Sequence, residues 1–139
     1  FLKKEMMKKE VAWELSLDEN LPDIHIDSRQ IRQGVLNILR NAIEASSAFK
    51  GEQAFVQIST YVTAEFLAIC IEDNGEGIAA EKQEHIFTPF FSTKEEGSGL
   101  GLHLTQQIVQ SHGGHLTCTS EVKKGAAFTM FLPLSKSIA

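Results

Sequence analysis

The chain has 139 residues, enough for one domain with a real core, and an ordinary globular balance of 42% hydrophobic and 22% charged residues. A net charge of −5, a pI near 5.5 and the lack of a basic stripe argue against nucleic acid as a partner. No stretch approaches the roughly 18 apolar residues of a membrane span, and no signal-peptide pattern is visible. The chain starts on Phe1 rather than Met, as expected of a piece of a longer protein, whose remainder could be soluble or anchored in the inner membrane.

Residues 1–10 read as the tail of an upstream helical element. The Lys3, Lys4, Lys8 and Lys9 cluster is broken by Glu5 and Glu10 into a solvated face. Val11, Trp13, Leu15 and Leu17 alternate with polar or small residues, which predicts a half-buried strand. Ile24 to Asp27 reads as a second short strand, with Ser28 as a helix N-cap. From about 29 to 48, Ile31, Val35, Ile38, Leu39 and Ala42 recur at helical spacing. A second stripe on that helix holds Gly34, Asn37, Asn41 and Glu44. Val56, Ile58, Thr60 and Val62 alternate as a strand, and 65–72 forms its hairpin partner. A short helical segment near Glu81–Ile86 precedes an irregular stretch. A helix over about 101–112 ends at Gly113-Gly114, and strands near 115–120 and 126–134 close the chain. This order predicts an α+β two-layer sandwich: a mixed, mostly antiparallel sheet packed against about three helices. One domain is expected over 11–135, with 136–139 as a short tail.

Three features carry chemistry. Leu67, Ile69, Ile71 and Asp73 share one face of a strand, so a carboxylate ends an apolar face. Such an acid needs a donor, since desolvating it unpaired is costly. Gly75 and Gly77 follow, and they let the backbone come close to a flat group, which suggests a base with an exocyclic amine. On the long helix, Asn37 and Asn41 lie one turn apart. As an isolated pair they would be surface residues. Among apolar neighbours their amides need partners. A side-chain carbonyl oxygen suits Mg²⁺, with Asn41 as ligand and Asn37 as a phosphate or water contact. In Gly97-Ser-Gly-Leu-Gly-Leu102, alternate glycines open backbone N–H groups at a helix start, where oxyanions bind. Leu102 breaks the dinucleotide fingerprint, and no Gly-Lys-Ser/Thr follows, so this is not a P-loop. Phe87, Phe90 and Phe91 read either as core packing or as anchors of a hinged lid over 94–99, with Lys94 as a phosphate-binding charge. Cys70 and Cys118 have no C-x-x-C partner, and read as small core residues in a reducing compartment.

The ordered set Asn37-x-x-x-Asn41-Ala, Asp73-x-Gly75-x-Gly77, Phe87-x-x-Phe90-Phe91 and Gly97-x-Gly99-x-Gly101-Leu resembles the boxes of the ATP-binding catalytic domain of two-component sensor histidine kinases. That superfamily includes DNA gyrase, Hsp90 and MutL. The Gly125–Pro133 stretch is similar to its closing strand, and the resemblance covers about Val11 to Leu134. The Asn-Ala-Ile-Glu-Ala and Pro-Phe-Phe-Ser-Thr-Lys variants look most like the nitrogen-regulation and sporulation type.

The resemblance implies a Bergerat-type fold that binds ATP and Mg²⁺. It implies that Asp73 receives the adenine amino group and that Gly75, Gly77 and Ile78 line the base. It places Ala45, Phe87 and Thr129 in the nucleotide-binding set, and Asn41 on the metal. Gly97, Gly99, Leu100, Gly101 and Leu102 would hold the phosphates. Asn37 and Lys94 would serve the transfer, and Glu44 and Lys94 would belong to the nucleotide-binding set. Many members of the family carry a basic residue where this chain has Glu44, so phosphate charge must come from elsewhere, such as Lys94 or Arg40. Hydrolytic relatives carry a glutamate base where Asn37 stands, so hydrolysis should be slow. None of His25, His85, His103, His112 and His115 is followed by the acid that usually follows the family's acceptor histidine. The acceptor is therefore expected on an upstream dimerisation domain of the same protein, with relay to a response regulator. A cytoplasmic domain, monomeric alone and part of a homodimer, is implied. The alternative is a nucleotide-binding regulatory module without transferase activity. A hydrolytic relative is disfavoured by Asn37.

Overall fold

Strand alternation and helical spacing together produce a single sheet with helices on one face. The computed structural model describes Met7 and residues 10–48, 53–88 and 101–134. The elements are β1 (Ala12–Ser16), α1 (Ser28–Ala48), β2 (Phe55–Val62), β3 (Phe66–Asp73), α2 (Ala80–Gln83), α3 (Gly101–Ser111), β4 (His115–Glu121) and β5 (Gly125–Pro133). The sheet order is β1-β2-β3-β5-β4. β1 pairs parallel with β2 across the α1 crossover, and the other three pairings are antiparallel. The mixed, mostly antiparallel α+β sandwich expected from the sequence is the observed one.

The core lies between the sheet and the two long helices. Ile31, Ile38, Leu39, Ala42 and Ile43 of α1 and Ile108 and Val109 of α3 are buried. They pack with Val56, Ile71, Phe128, Met130 and Leu132 of the sheet. Each large apolar side chain fully buried there contributes about 1.5–3 kcal/mol. The register aligns Ile71 with Phe128, and Asp73 with Ala126. These four therefore share the helix-covered face, while Cys70, Glu72, Ala127 and Thr129 lie on the other. Among the described residues no helix is long and apolar enough to cross a membrane.

Three local expectations are corrected. Residues 24–27 form no strand. That segment is pinned by the Asp27 N–H, which donates to His112 Nε2 at 3.0 Å, while His112 Nδ1 lies 2.8 Å from the Ile108 carbonyl. The ring therefore accepts at Nε2 and donates at Nδ1. Asp27, not Ser28, caps α1: its Oδ1 accepts from the N–H groups of Arg29 at 3.0 Å and Gln30 at 3.2 Å. In the first strand, Val11 is buried and Trp13 half-buried, but Leu15 and Leu17 are 55% and 54% exposed. β1 is an edge strand, and its far end is not covered by the helix layer.

Candidate functional site

The acid at the end of β3 is buried, with 8% of Asp73 exposed. Its Oδ1 accepts from the Gly75 N–H at 2.9 Å. The donor the carboxylate requires is thus supplied first by its own turn, and this bond fixes the direction of the other oxygen. Asn74 locks the same turn to β2. Its Oδ1 accepts from the Phe55 N–H and its Nδ2 donates to the Gln53 carbonyl, both at 2.8 Å.

The glycines after Asp73 answer to the protein itself. A Cβ on Gly75 would lie 2.7 Å from the Ala45 carbonyl oxygen of α1. Gly77 has φ +78°, and a Cβ there would fall 2.0 Å from the Glu121 carbonyl oxygen. The close approach expected from the sequence exists, but it is to α1 and to the β4–β5 turn. Beyond this turn the Ile78 N–H donates to Ser120 Oγ at 2.8 Å, and Ser120 Oγ donates to the Gly125 carbonyl at 2.7 Å. Ile78 packs against the core from there.

α1 connects this turn to the start of α3. Ala45 meets Gly75, as above. Two turns earlier, Asn37 Nδ2 donates to Thr105 Oγ1 at 3.2 Å and approaches the Gly101 carbonyl at 3.5 Å. Asn41 stands midway, one turn from each, on the same helix face and half-buried. At 1.5 Å rise per residue, Asn37 and Ala45 are about 12 Å apart along the axis. Glu44 is exposed on the rim. At the start of α3, Gly101 is exposed, and among the described residues no atom lies within 4 Å of where its Cβ would stand. Leu102, next to it, packs against the core.

Phe87 is half-buried and packs against the core. Its ring meets Phe128 edge-on, with centroids 6.3 Å apart and planes at 80°. The His103 Nδ1 lies 3.1 Å from its carbonyl, which ties the residue to α3. Lys94, Gly97, Gly99 and Leu100, together with Phe90, Phe91 and the rest of the expected lid, lie outside the described residues.

Thr129 does not join the set. It is paired with Cys70 on the face of the sheet away from the helices, so it is separated from Asp73 by the sheet itself. The residues of β5 on the Asp73 side are Ala126 and Phe128, a parity that the alternation of 126–134 already contained. Both cysteines are free thiols. Burial, and then the charge of Asp73, push the Cys118 thiol up to about 11. Burial likewise raises Cys70. Cys118 lies opposite Phe128 in the sheet, on the core side that also holds Asp73. Side-chain roles that sequence reading missed belong to Asn74, Ser120 and Thr105.

No group of three or more His, Cys, Asp or Glu able to hold a metal occurs among the described residues. An ion held mainly by phosphate oxygens and water, with one amide oxygen from Asn41, fits this donor set. An open depression of about 390 Å³ at the β4–β5 turn reaches Asp73 and Ser120, but no α1 or α3 residue lines it.

A five-stranded mixed sheet with two long helices on one face and a buried acid ending its central strand define an α+β two-layer sandwich. The chain belongs to the family described as histidine kinase-, DNA gyrase B-, and HSP90-like ATPase, which it matches over residues 26–136. It is 37% identical over 127 residues to the sensor histidine kinase ZraS of Escherichia coli O157:H7, covering 91% of this chain and 27% of that protein. It is 43% identical over 111 residues to sporulation kinase C of Bacillus subtilis, covering 80% of this chain and 25% of that protein. Among solved structures, the nucleotide-free catalytic domain of histidine kinase ThkA superposes with a TM-score of 0.83 at 26% identity, over 97% of this chain and 88% of that one. The chain thus spans about a quarter of the length of these two curated relatives.

Proposed function

We propose that this chain is the Mg-ATP-binding catalytic module of a sensor histidine kinase. It would deliver the γ-phosphoryl group to a histidine on a separate dimerisation domain of the same protein, for relay to a response regulator. The observation that carries this reading is the single face of α1. It meets the start of α3 at Asn37 and the Asp73–Gly75 turn at Ala45, with Asn41 between them. Sensor histidine kinases among the relatives support the reaction class.

In this reading Asp73 accepts a hydrogen bond from the exocyclic amine of adenine. Its other bond, to the Gly75 N–H, holds the carboxylate in one orientation. The α3 N-terminal N–H groups face the phosphates. Asn41 would hold Mg²⁺, which, when bound, neutralises charge on the phosphate tail. Asn37 is committed to Thr105 and Gln33, and an amide is no proton acceptor at neutral pH. Water is therefore left without a base at that position, and transfer rests on positioning and electrostatics. The domain would work in the cytoplasm, where ATP is, as part of a dimeric parent.

The test is a reconstitution. This chain is mixed with labelled ATP, Mg²⁺ and the helical domain encoded upstream of it. Acid-labile phosphohistidine is expected on the helical domain and none on this chain. Label on this chain, or none on the helical domain despite bound ATP, would contradict the kinase reading, and the latter would favour a regulatory nucleotide-binding module.

A further inference from the structure

We propose that Thr105, through Asn37, latches α3 to α1 and so sets where the α3 N-terminal turn stands against the phosphate tail of a nucleotide. This inference rests on the nucleotide-binding reading above. Thr105 is a positioning residue in it, acting through Gly101 and Asn37.

Thr105 is fully buried, at 0% exposure, on the apolar stripe of α3 with Ile108 and Val109. A hydroxyl there costs about 1–3 kcal/mol unless it is hydrogen-bonded. A valine of the same shape would avoid that cost, so packing alone gives no reason for the hydroxyl. The hydroxyl both donates and accepts. Oγ1 donates to the Gly101 carbonyl at 2.8 Å and accepts from Asn37 Nδ2 at 3.2 Å. Asn37 is itself oriented, since its Oδ1 accepts from Gln33 Nε2 at 2.9 Å.

The two helices are also brought close at this point. A Cβ on Gly34 would lie 3.3 Å from Thr105 Cγ2 and 3.1 Å from Met130 Cε. Gly34, Asn37 and Asn41 lie on one α1 stripe. The latch therefore holds the first turn of α3, whose N–H groups have no partner within the helix, in fixed relation to the amide one turn further along α1. Base recognition at Asp73 lies at the other end of the site, two turns of α1 away. Loss of the latch should weaken contacts to the phosphates and spare contacts to the base. A residue that only packs the core would, when altered, weaken both.

The experiment compares Thr105→Val and Thr105→Ser with the unaltered chain, titrated with Mg-ATP by calorimetry and with adenosine by NMR. Valine keeps the methyl beside Gly34 and removes the hydroxyl, whereas serine keeps the hydroxyl. Thr105→Val should weaken Mg-ATP binding about five- to tenfold, the scale of one buried hydrogen bond, and change adenosine binding less than about twofold. Thr105→Ser should match the unaltered chain for both ligands within about twofold. Equal losses for both ligands in Thr105→Val, no loss for Mg-ATP, or failure of Thr105→Ser to retain Mg-ATP binding would overturn the latch. Absence of Mg-ATP binding by the unaltered chain would overturn the site reading itself.

Discussion

Asp73→Asn should reduce ATP affinity by about a hundredfold or more while leaving the fold intact. The geometry separates the two consequences. One side-chain oxygen of residue 73 accepts from the Gly75 N–H, and an asparagine can still do this with its own carbonyl oxygen. In the proposed reading the other oxygen, which would accept from the adenine amine, becomes an NH₂ group, and donor then faces donor. A hydrogen bond to a charged acceptor is worth about 1.5–3 kcal/mol, and a buried donor–donor encounter adds the cost of two unpaired groups. About 2.7 kcal/mol corresponds to a hundredfold. Calorimetric titration with ATP checks the affinity, and a thermal melt checks the fold. Affinity within about threefold of the unaltered chain would remove Asp73 from the base-binding role.

Asn41→Ala should abolish the contribution of Mg²⁺ rather than that of the base. Asn41 lies between the two ends of the site, one helical turn from Asn37 and one from Ala45. Removing its amide oxygen removes the one protein ligand in this reading. ATP affinity in the presence of Mg²⁺ should fall about tenfold or more, to the level seen with a chelator, and adenosine affinity should stay within about twofold. Titrations of ATP with Mg²⁺ and with chelator give this comparison directly. Equal losses with and without Mg²⁺ would show that Asn41 serves the fold or the base instead.

The sequence made the scaffold of this site legible because two periodicities carry it. Strand alternation put Asp73 on the face of Ile71, and helical spacing put Asn37 and Asn41 on one stripe, as the structure has them. What escaped were contacts between elements distant in sequence. The glycines at 75 and 77 announced a close approach, but only the fold shows that the groups they meet are the carbonyls of Ala45 and Glu121. Asp27 took the cap expected of Ser28 because both are good caps one residue apart, and the bonds to Arg29 and Gln30 decide between them. Thr129 lies on the wrong face, an error of parity rather than of strand. Thr105 did leave a signal: a polar residue inside an apolar helical stripe implies a partner. Ser120 and Asn74 left less, since small polar residues at strand ends are common in turns.

In the proposed reading a nucleotide lies along α1 between the Asp73 turn and the start of α3. Backbone amide shifts of the chain titrated with a non-hydrolysable Mg-ATP analogue test it most directly. Saturating changes are expected at Asp73, Gly75 and Ile78 together with Asn41, Gly101 and Leu102, with little change on the opposite face at Thr117 or Thr119. Changes confined to that opposite face, or none at millimolar analogue, would contradict the account.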